Sequence, residues 1–427
     1  MTGKRTNTDV RAIARAAREA GNRLAGADTA SKNAALVAMA RRLDEARDEL
    51  VEANRADMDA AREKGLDEAV VNRLVFDEAK IDSRIESLES IASLPDPVGQ
   101  PIESMRRPGG LDVARVRVPL GVILMIYEAR PHVTVNAGAF CLKSGNAAVL
   151  RGGSEAARCN ARLGELWRDA LDEARLPREA IQAISGSHEE IGQLLEMSGE
   201  IDLAIPRGGE RLIRTVAEKA RMPVLAHASG VCHVFIDSGA DVAEGIRIAL
   251  DSKCLMPEVC NAMETLLVDT TQSGELPRIV EAFRECGVTV RGCPQTQRAV
   301  ADVEPAGEDD WGAEYLDMVV SIRVVDGVAQ AIEHINAYGS HHTDSIVTDS
   351  VARGERFVRG VDSSVVLVNA STMFCDGQSL GMGAEIGIST GKIHARGPMG
   401  LNDLTSYKWV IRGAGQVMAD DPAEWKK

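Results

Sequence analysis

The feature that most constrains the fold of this chain is a regular alternation of short apolar runs with amphipathic stretches, which begins near residue 122. The run VILMI (122–126) is apolar throughout, which is typical of a strand buried on both faces of a sheet. The same patterns predict further strands at 147–150, 180–184 and 201–205, and helices at about 132–143, 154–174, 188–197 and 208–220. Strands and helices in alternation predict a doubly wound parallel sheet.

A second alternating block follows after about residue 240. Its apolar runs predict strands at 263–269, 288–292, 318–325, 345–349 and 365–370, with helices at about 241–252, 276–285 and 327–337. Ahead of both blocks, helical spacing predicts a helix over 8–26, with Thr8 as its N-cap, and a longer one from about Ser31 past Leu50. The predicted fold class is α/β with two doubly wound domains, since 427 residues are too many for one ordinary core.

Two further segments lie outside these blocks and alternate apolar with polar residues. They are LDVARVRV (111–118) and LTSYKWVI (404–411), and both patterns predict half-exposed strands. Because soluble proteins usually cover exposed strand edges, we expect the two to pair as an arm that joins the sheet of another subunit. The sequence therefore predicts a homodimer or a tetramer built from two dimers.

Composition and charge exclude several classes of function. The formal charge of −15 argues against general nucleic-acid binding, which needs a basic surface. No secretory signal opens the chain and its apolar stretches are shorter than a membrane span, so a cytoplasmic location with reduced thiols is expected. The eight cysteines form no CxxC pair, and the adjacent His341 and His342 point to different sides, so no metal site is predicted.

The stretch CLMPEVCNAMETLLV (254–268) contains two cysteines that could act as nucleophiles. Pro257 and Glu258 end the preceding helix, and NAMET can form one turn before the strand, which places Cys260 near a helix N-terminus that would stabilise a thiolate. Cys254 lies in the tail of the preceding helix, where nothing lowers its pKa. The chemistry favours Cys260, and the alternative is that both thiols are core residues.

A standard G-x-G-x-x-G dinucleotide fingerprint is absent, but two other glycine turns follow predicted strands. VLRGGSEA (149–156) places an arginine and two glycines before a helix, with Ser154 as a possible N-cap, and IPRGGERLI (205–213) repeats the design. Backbone N–H groups and an arginine at a helix N-terminus suit phosphate. The alternative is that each is only a tight strand-to-helix turn.

At this point the motifs match a known family. The chain resembles the aldehyde dehydrogenase superfamily, and within it the reductases that act on L-glutamyl 5-phosphate. The resemblance covers nearly the whole chain, and five motifs carry it in the same order: VPLGVILMIYEARPHVTVNAGAFCLKSGNAAVLRGGSEA (118–156), IPRGGERLI (205–213), PEVCNAMETLLV (257–268), YGSHHTDSIVT (338–348) and NASTMFCDGQSLGMGAEIGISTGKIHARGPMGL (369–401). It implies NADPH-dependent reduction of the acyl phosphate to L-glutamate 5-semialdehyde, with release of phosphate through a cysteine thioester, in proline biosynthesis.

The resemblance also implies a role for individual residues. The nucleophile falls on Cys260, with the amide of Asn261 helping to hold the oxyanion, and the glutamate that binds the nicotinamide ribose falls on Glu314. The cofactor-binding turns fall on Arg151, Gly152, Gly153, Ser154, Arg207, Gly208 and Gly209, and the substrate-binding residues on Arg130, Lys143 and His342. The implied domains are a nucleotide-binding domain (1–110 and 122–240), a catalytic cysteine domain (241–385) and an oligomerisation arm (111–121 and 395–420).

Departures from the superfamily pattern refine this interpretation. Hydrolytic members carry a general-base glutamate where this chain has HASGV (227–231), and an enzyme that protects its thioester from water has no use for that base. The superfamily's oxyanion asparagine is missing from YEARP (127–131). Within the reductase family, Ser154 replaces a common lysine, Leu255 and Met256 a more polar pair, and Met373 an arginine.

The alternatives are an enzyme of the same fold that acts on a different aldehyde or acyl phosphate, and a catalytically silent binding protein. The family also makes glutamate 5-kinase, which produces the labile substrate, a candidate partner.

Overall fold

A computed structural model describes residues 9–185, 188–226, 229–383 and 385–418 of the chain. The chain divides into two compact units, one of Met1–Gly208, Thr215–Val224 and Gly400–Lys427, the other of Gly209–Arg214 and Leu225–Met399. Each unit is built around its own parallel sheet. Within the described ranges, no helix has both the length and the apolar character that crossing a membrane requires.

Strands and helices alternate along the chain, and the predicted α/β class is confirmed. The strands are β1 Pro101–Arg106, β2 Asp112–Pro119, β3 Val122–Tyr127, β4 Ala147–Arg151, β5 Ile181–Ile184, β6 Leu203–Arg207, β7 Cys232–Ile236, β8 Met263–Asp269, β9 Thr289–Gly292, β10 Glu304–Pro305, β11 Val319–Val325, β12 Thr343–Val347, β13 Val365–Val368, β14 Gly387–Ser389, β15 Gly397–Met399 and β16 Thr405–Arg412. The α-helices are α1 Val10–Leu24, α2 Thr29–Glu45, α3 Arg47–Glu63, α4 Glu68–Leu74, α5 Glu78–Ser93, α6 His132–Lys143, α7 Ala157–Glu173, α8 His188–Leu195, α9 Glu210–Lys219, α10 Val242–Cys254, α11 Leu276–Glu285, α12 Pro294–Ala299, α13 Gly327–Tyr338 and α14 Val351–Gly360.

The sheet of the first unit has the order β5-β4-β3-β6, with all neighbours parallel. Every side chain of β3 is buried, as expected for a central strand covered by helices on both faces. The chain passes from β3 to β4 and β5 on one side and returns to β6 on the other, so the strand order reverses between β3 and β6. Sheets of this kind bind ligands outside the carboxyl ends of the strands at such a reversal, which here follows the paired residues Tyr127 and Arg207.

The sheet of the second unit has the order β10-β9-β11-β8-β7-β12-β13 and is also parallel. Strands β7, β8 and β12 lie in its interior and are buried at every position. Strand β13 forms one edge and is only partly buried. A short antiparallel pair, β14 with β15, belongs to the same unit.

Strand β7 was not predicted, although its sequence CHVFI is largely apolar and all five residues are buried. Its histidine interrupts the apolar run, and this polar residue in a central strand hides the signal. By backbone pairing β7 belongs to the second sheet, whereas the sequence assigned residues up to 240 to the nucleotide-binding domain. The second unit therefore begins upstream of the predicted boundary, and the functional assignment of the two units stays a prediction.

The N-terminal helices differ from the prediction in two details. The predicted long helix is two helices, because Ala46 leaves helical geometry (φ −101°, ψ 15°) between α2 and α3. The N-cap of α1 is Asp9, whose carboxylate accepts a hydrogen bond from Ala12 N at 3.0 Å, while Thr8 lies outside the described residues.

The predicted pairing of the two half-exposed segments is confirmed. Strand β16 runs antiparallel to β2 from Thr405 opposite Pro119 to Arg412 opposite Asp112, and the unpredicted strand β1 adds to the other side of β2. Three large side chains of β16 stand on one exposed face, Tyr407, Trp409 and Ile411, which are 48%, 51% and 60% exposed. The antiparallel sheet β1-β2-β16 is called the arm below.

Candidate active site

Cys260, the predicted nucleophile, lies in the turn between helix α10 and strand β8. Its side chain is half-buried, and the hydrogen bond from Ala262 N to Val259 O (3.1 Å) closes the turn around it. The residues after Cys260 enter β8 at Met263 without forming a helix. The predicted helix N-terminus at this cysteine is therefore wrong, because the buried strand takes up the residues that would have formed it.

Cys254 is the last residue of α10, as the sequence predicted. Burial, with a smaller contribution from the neighbouring thiol of Cys286, raises the pKa of its thiol to about 11. A thiol with this pKa stays protonated at neutral pH and is a poor nucleophile. The environment of Cys254 thus supports Cys260 as the reactive member of the pair.

The backbone of Cys260 packs against the segment that leads into β7. A β-carbon on Gly230 would overlap the carbonyl group of Cys260, so glycine is required for this close approach. The thiol of Cys232 donates a hydrogen bond to Cys260 O at 3.3 Å. Burial, with a further contribution from Asp344, raises the pKa of Cys232 far above its ordinary value, so this thiol remains a donor.

Glu314 lies beside this same segment. Its Oε1 atom accepts a hydrogen bond from Gly230 N at 2.7 Å, and Gly230 in turn touches Cys260. Burial raises the pKa of Glu314, an effect that the Gly230 N–H opposes. The structure therefore brings the predicted ribose-binding carboxylate and the predicted nucleophile together through a single glycine.

Two other residues predicted near the nucleophile have structural contacts instead. Asn261 is buried, and its Nδ2 donates to Thr372 O at 3.1 Å, so this amide ties the cysteine turn to a neighbouring loop. His342 is fully buried, with Nδ1 2.8 Å from Thr343 Oγ1 and 3.8 Å from Cys232 Sγ. These contacts do not support an oxyanion role for Asn261 or a direct substrate contact for His342.

Lys143, predicted to bind substrate, is a structural residue of the first unit. It is fully buried at the end of α6, and its ammonium group donates to Asn33 Oδ1 at 2.6 Å and to Ala92 O at 2.8 Å. These partners lie on α2 and α5, so Lys143 links three helices. The expectation of a substrate contact is not supported because the charge is already satisfied inside the helical layer.

The first glycine turn, Arg151–Ser154, is explained by packing. A β-carbon on Gly152 would overlap the side chain of Asn160, and one on Gly153 would overlap that of Glu155. Ser154 caps no helix with its side chain, since a short 3-10 helix starts there. The N-terminus of α7 instead receives the buried carboxylate of Asp57, which accepts hydrogen bonds from the N–H groups of residues 158 and 159 at 3.3 and 3.0 Å.

The N–H groups that were expected to bind a phosphate at the start of α7 thus donate to the carboxylate of Asp57 instead. The predicted N-cap role of Ser154 is wrong for the same reason. Arg151 remains at the carboxyl end of β4, where it is 8% exposed and burial lowers its pKa.

The second glycine turn, Arg207–Gly209, has no such explanation. No atom lies within 4 Å of a β-carbon built on Gly209, so packing does not require this glycine. Arg207 ends β6 beside the strand reversal, where Arg130 follows β3. Burial lowers the pKa of Arg130, and the charges of Arg207 and Arg73 lower it further.

Further cations surround His132, which starts α6 beside Arg130. The pKa of His132 is lowered to about 3, mainly by burial and to a smaller extent by the charges of Arg84, Lys80, Arg130 and Arg207. Two polar atoms here, Arg84 Nε and Asn136 Oδ1, are buried without a hydrogen-bond partner. We call the group of Arg73, Lys80, Arg84, Arg130, His132 and Arg207 the basic cluster.

Sequence reasoning missed most of these supporting residues. Cys232 and Gly230 lie in the unpredicted β7 region, and the sequence gave no sign that the helix carrying Arg84, α5, packs against α6. The absence of a carboxylate at the hydrolytic-base position is a fact of the sequence; within that stretch His227 and Ala228 lie outside the described residues, while Ser229–Val231 are described.

Two parallel sheets with helices between their strands, an antiparallel arm, and a half-buried cysteine turn linked through a glycine to a carboxylate are the arrangement expected of an oxidoreductase of the aldehyde dehydrogenase class. Comparison with known proteins agrees. The model of the aldehyde dehydrogenase family matches residues 2–288, and the chain belongs to this family.

Solved structures extend the likeness over the whole chain. A gamma-glutamyl phosphate reductase from Thermotoga maritima is 44% identical, with 96% of this chain and 100% of that chain covered and a TM-score of 0.94. The gamma-glutamyl phosphate reductase of Saccharomyces cerevisiae is 31% identical, with 97% and 100% covered and a TM-score of 0.54. An acetylating aldehyde dehydrogenase from Geobacillus thermoglucosidasius is 16% identical, with 96% and 98% covered and a TM-score of 0.68, and shares the fold.

Proposed function

We propose that this chain reduces L-glutamyl 5-phosphate with NADPH, releases phosphate and forms L-glutamate 5-semialdehyde in proline biosynthesis. The observation that carries the proposal is the full-length similarity to two gamma-glutamyl phosphate reductases, at 44% and 31% identity. The local geometry is consistent with it, because a half-buried cysteine in a turn is linked through Gly230 to a carboxylate that suits a ribose.

In the proposed mechanism, the thiolate of Cys260 attacks the acyl carbon and the phosphate leaves as an anion, which gives a thioester. In this proposal the oxyanion is stabilised by backbone N–H groups near Cys260, and the side-chain amide of Asn261 is left out because it already donates to Thr372 O. Bound NADPH supplies the hydride that reduces the thioester to a thiohemiacetal. Cys260 then leaves as a thiolate when the thiohemiacetal collapses to the aldehyde.

Each unit carries residues that suit part of a nicotinamide dinucleotide. The carboxylate of Glu314 suits ribose hydroxyl groups. The open turn at Gly209 allows a phosphate to approach the backbone, and Arg151 and Arg207 bring positive charge to the ends of β4 and β6. A carboxylate that would repel a 2′-phosphate is absent at Ser154, while Glu155 accepts a hydrogen bond from Ala129 N at 2.6 Å.

The substrate of the proposed reaction carries a phosphate and a carboxylate, and the basic cluster supports its recognition. The neighbouring positive charges lower the pKa of Arg130 and His132, and an anion bound among them would partly relieve this repulsion. Arg84 adds a half-buried cation whose Nε has no hydrogen-bond partner. Arg130 is the member that the family motif assigned to substrate.

Assembly and location belong to the same proposal. Strand β16 forms a free edge of the arm and β13 a free edge of the second sheet, so the arm of one copy can extend the sheet of another. We expect a homodimer or a tetramer, a cytoplasmic location, and association with glutamate 5-kinase to protect the labile acyl phosphate.

Dependence on phosphate tests the function directly. In the reverse direction, oxidation of L-glutamate 5-semialdehyde with NADP should require phosphate or arsenate, because the thioester needs that acceptor. Parallel assays with NAD measure the cofactor preference. Steady oxidation without phosphate or arsenate would indicate a hydrolytic enzyme for another aldehyde. Absence of turnover with either anion and either cofactor would indicate a catalytically silent binding protein.

A further inference from the structure

A buried ion pair brackets the nucleophile turn in the second unit. Lys253 is the penultimate residue of α10 and Glu264 is the second residue of β8, so the segment with Cys260 lies between them in sequence. Lys253 Nζ is 2.6 Å from Glu264 Oε2, and the two side chains are 0% and 1% exposed. The contact closes the turn at its base.

The other oxygen of Glu264 reaches a different segment. Glu264 Oε1 accepts a hydrogen bond from Leu316 N at 3.2 Å, and Leu316 has a φ of 53°, in the left-handed region that leucine rarely adopts. Leu316 is two residues after Glu314, whose carboxylate holds Gly230 N beside Cys260. One carboxylate is therefore bonded both to the base of the nucleophile turn and to the segment that carries Glu314.

We propose that Lys253 and Glu264 act as positioning residues, which hold the Glu314 segment in the geometry that binds the nicotinamide ribose. The inference rests on the proposed function. Neither residue touches the reacting atoms; each acts through Leu316 and the turn. The pair is distinct from Cys260 and Glu314, to which the sequence assigned roles.

The pair makes cofactor binding sensitive to pH. Burial raises the pKa of Glu264 to about 7, a rise to which Glu314 contributes and which the Lys253 ammonium opposes. Below that pH the carboxyl group carries a proton on one oxygen, and this oxygen then faces either an ammonium or an N–H donor. One of the two contacts is lost, so the Glu314 segment loosens as pH falls through about 7.

The pH dependence of fold stability has the opposite sign to the pH dependence of NADPH affinity. A carboxyl group whose pKa is raised in the folded state binds its proton more tightly there than in the unfolded chain. Between the ordinary value of 4.5 and about 7, Glu264 therefore lowers the stability of the fold as pH rises, while its positioning effect improves. If the pair had only a structural role, its titration would change the stability of the fold and would leave the NADPH affinity unchanged.

Direct NADPH titration of the full-length protein, followed by nicotinamide fluorescence without acyl phosphate, tests the proposal. Affinity of the wild type should fall about three- to tenfold from pH 8 to pH 6, the range expected for the loss of one hydrogen bond. Glu264→Gln should bind as weakly at pH 8 as the wild type does at pH 6, with no step near 7. Lys253→Met should show the same weakened NADPH affinity. The double variant Lys253→Met with Glu264→Gln should bind NADPH no more weakly than Glu264→Gln alone.

The same variants distinguish the titration of Glu264 from that of neighbouring titratable groups. Strand β7 carries Cys232 and His233 at the level of the first residues of β8, and the charge of Glu314 acts on Glu264. All three groups remain in Glu264→Gln, so a pH step near 7 that survives in this variant does not come from Glu264 and overturns the proposal.

The matched control is Asp237→Asn. Asp237 is a buried carboxylate of the same unit, which accepts hydrogen bonds from Arg353 and Thr348 after the carboxyl end of β7. The Asp237→Asn substitution should lower thermal stability and leave both the NADPH affinity and its step near pH 7 unchanged. An equal loss of affinity in this control, or wild-type affinity in Glu264→Gln, overturns the inference alone. A wild type that binds neither NADPH nor NADH overturns the proposed function as well.

Discussion

Gly230 and Cys260 pack backbone to backbone, so closely that residue 230 can carry no side chain. The N–H of Gly230 is donated to Glu314, and its α-carbon faces the carbonyl of Cys260. A displacement at this glycine therefore moves the Cys260 turn and the carboxylate of Glu314 together.

Gly230→Ala should damage both catalysis and stability. The added methyl group has to push the Cys260 turn away, and overpacking of this kind costs about 1–3 kcal/mol of unfolding free energy. We expect kcat to fall by at least about 100-fold, because a misplacement near 1 Å has that effect on a reacting group. Urea unfolding and steady-state kinetics measure the two effects.

The matched control is Gly274→Ala, in the same unit, where no atom lies within 4 Å of the new β-carbon. It should leave both kcat and unfolding free energy nearly unchanged. Wild-type kinetics in Gly230→Ala would show that the turn tolerates displacement.

Cys260→Ala should remove turnover, with a loss of at least about 10³-fold, while NADPH binding and folding persist. Cys254→Ala should keep most of the activity, because the Cys254 thiol, with a pKa near 11, does not supply a thiolate at neutral pH. Stopped assays with mass spectrometry should find the acyl group on Cys260 in the wild type. An acyl group on Cys254 instead would reverse the assignment.

The basic cluster predicts a selective effect on substrate binding. Arg84→Met removes a half-buried cation whose Nε has no partner, so the KM for the acyl phosphate should rise about 10- to 100-fold with a smaller change in kcat. Arg41→Met is the control, because that arginine lies on the surface and pairs with Glu45 and Glu173. A rise in the KM for NADPH, with the KM for the acyl phosphate unchanged, would assign the cluster to the cofactor.

The sequence predicted the parts of the fold that depend on local pattern. Strand β8 and helices α6 and α11 match their predicted bounds, because each is rich in apolar residues and turn residues such as Gly145 and Gly287 follow the helices. The arm pairing followed from two half-exposed strands that lay outside both alternating blocks. Strand β7 was missed because His233 interrupts its apolar run. The hydrogen-bond partner of His233, Asp344, lies on β12, far away in the sequence.

The supporting contacts of the candidate site could not be predicted, since each joins segments far apart in the chain. Asp57 reaches the start of α7 from α3, and Lys143 is satisfied by α2 and α5. Motif membership placed Lys143 and Asn261 among the functional residues, but a motif records which residues recur and not what each one touches. The local argument for Cys260 assumed a helix N-terminus that the described residues lack, so its assignment as nucleophile depends on the family resemblance and is supported by the environment of Cys254.

The arm predicts how the protein assembles. Tyr407, Trp409 and Ile411 alternate along β16 on one exposed face, and the Arg115 guanidinium lies 4.5 Å from the centre of the Tyr407 ring. A row of large apolar side chains beside a free strand edge is the pattern of a surface covered by another chain. Trp409→Glu should therefore separate the subunits, and sedimentation velocity should show a smaller species whose fraction rises on dilution. Lys408→Glu, which alters charge on the opposite face of the same strand, should leave the mass unchanged. A wild type that sediments as a monomer at micromolar concentration would refute the predicted oligomer.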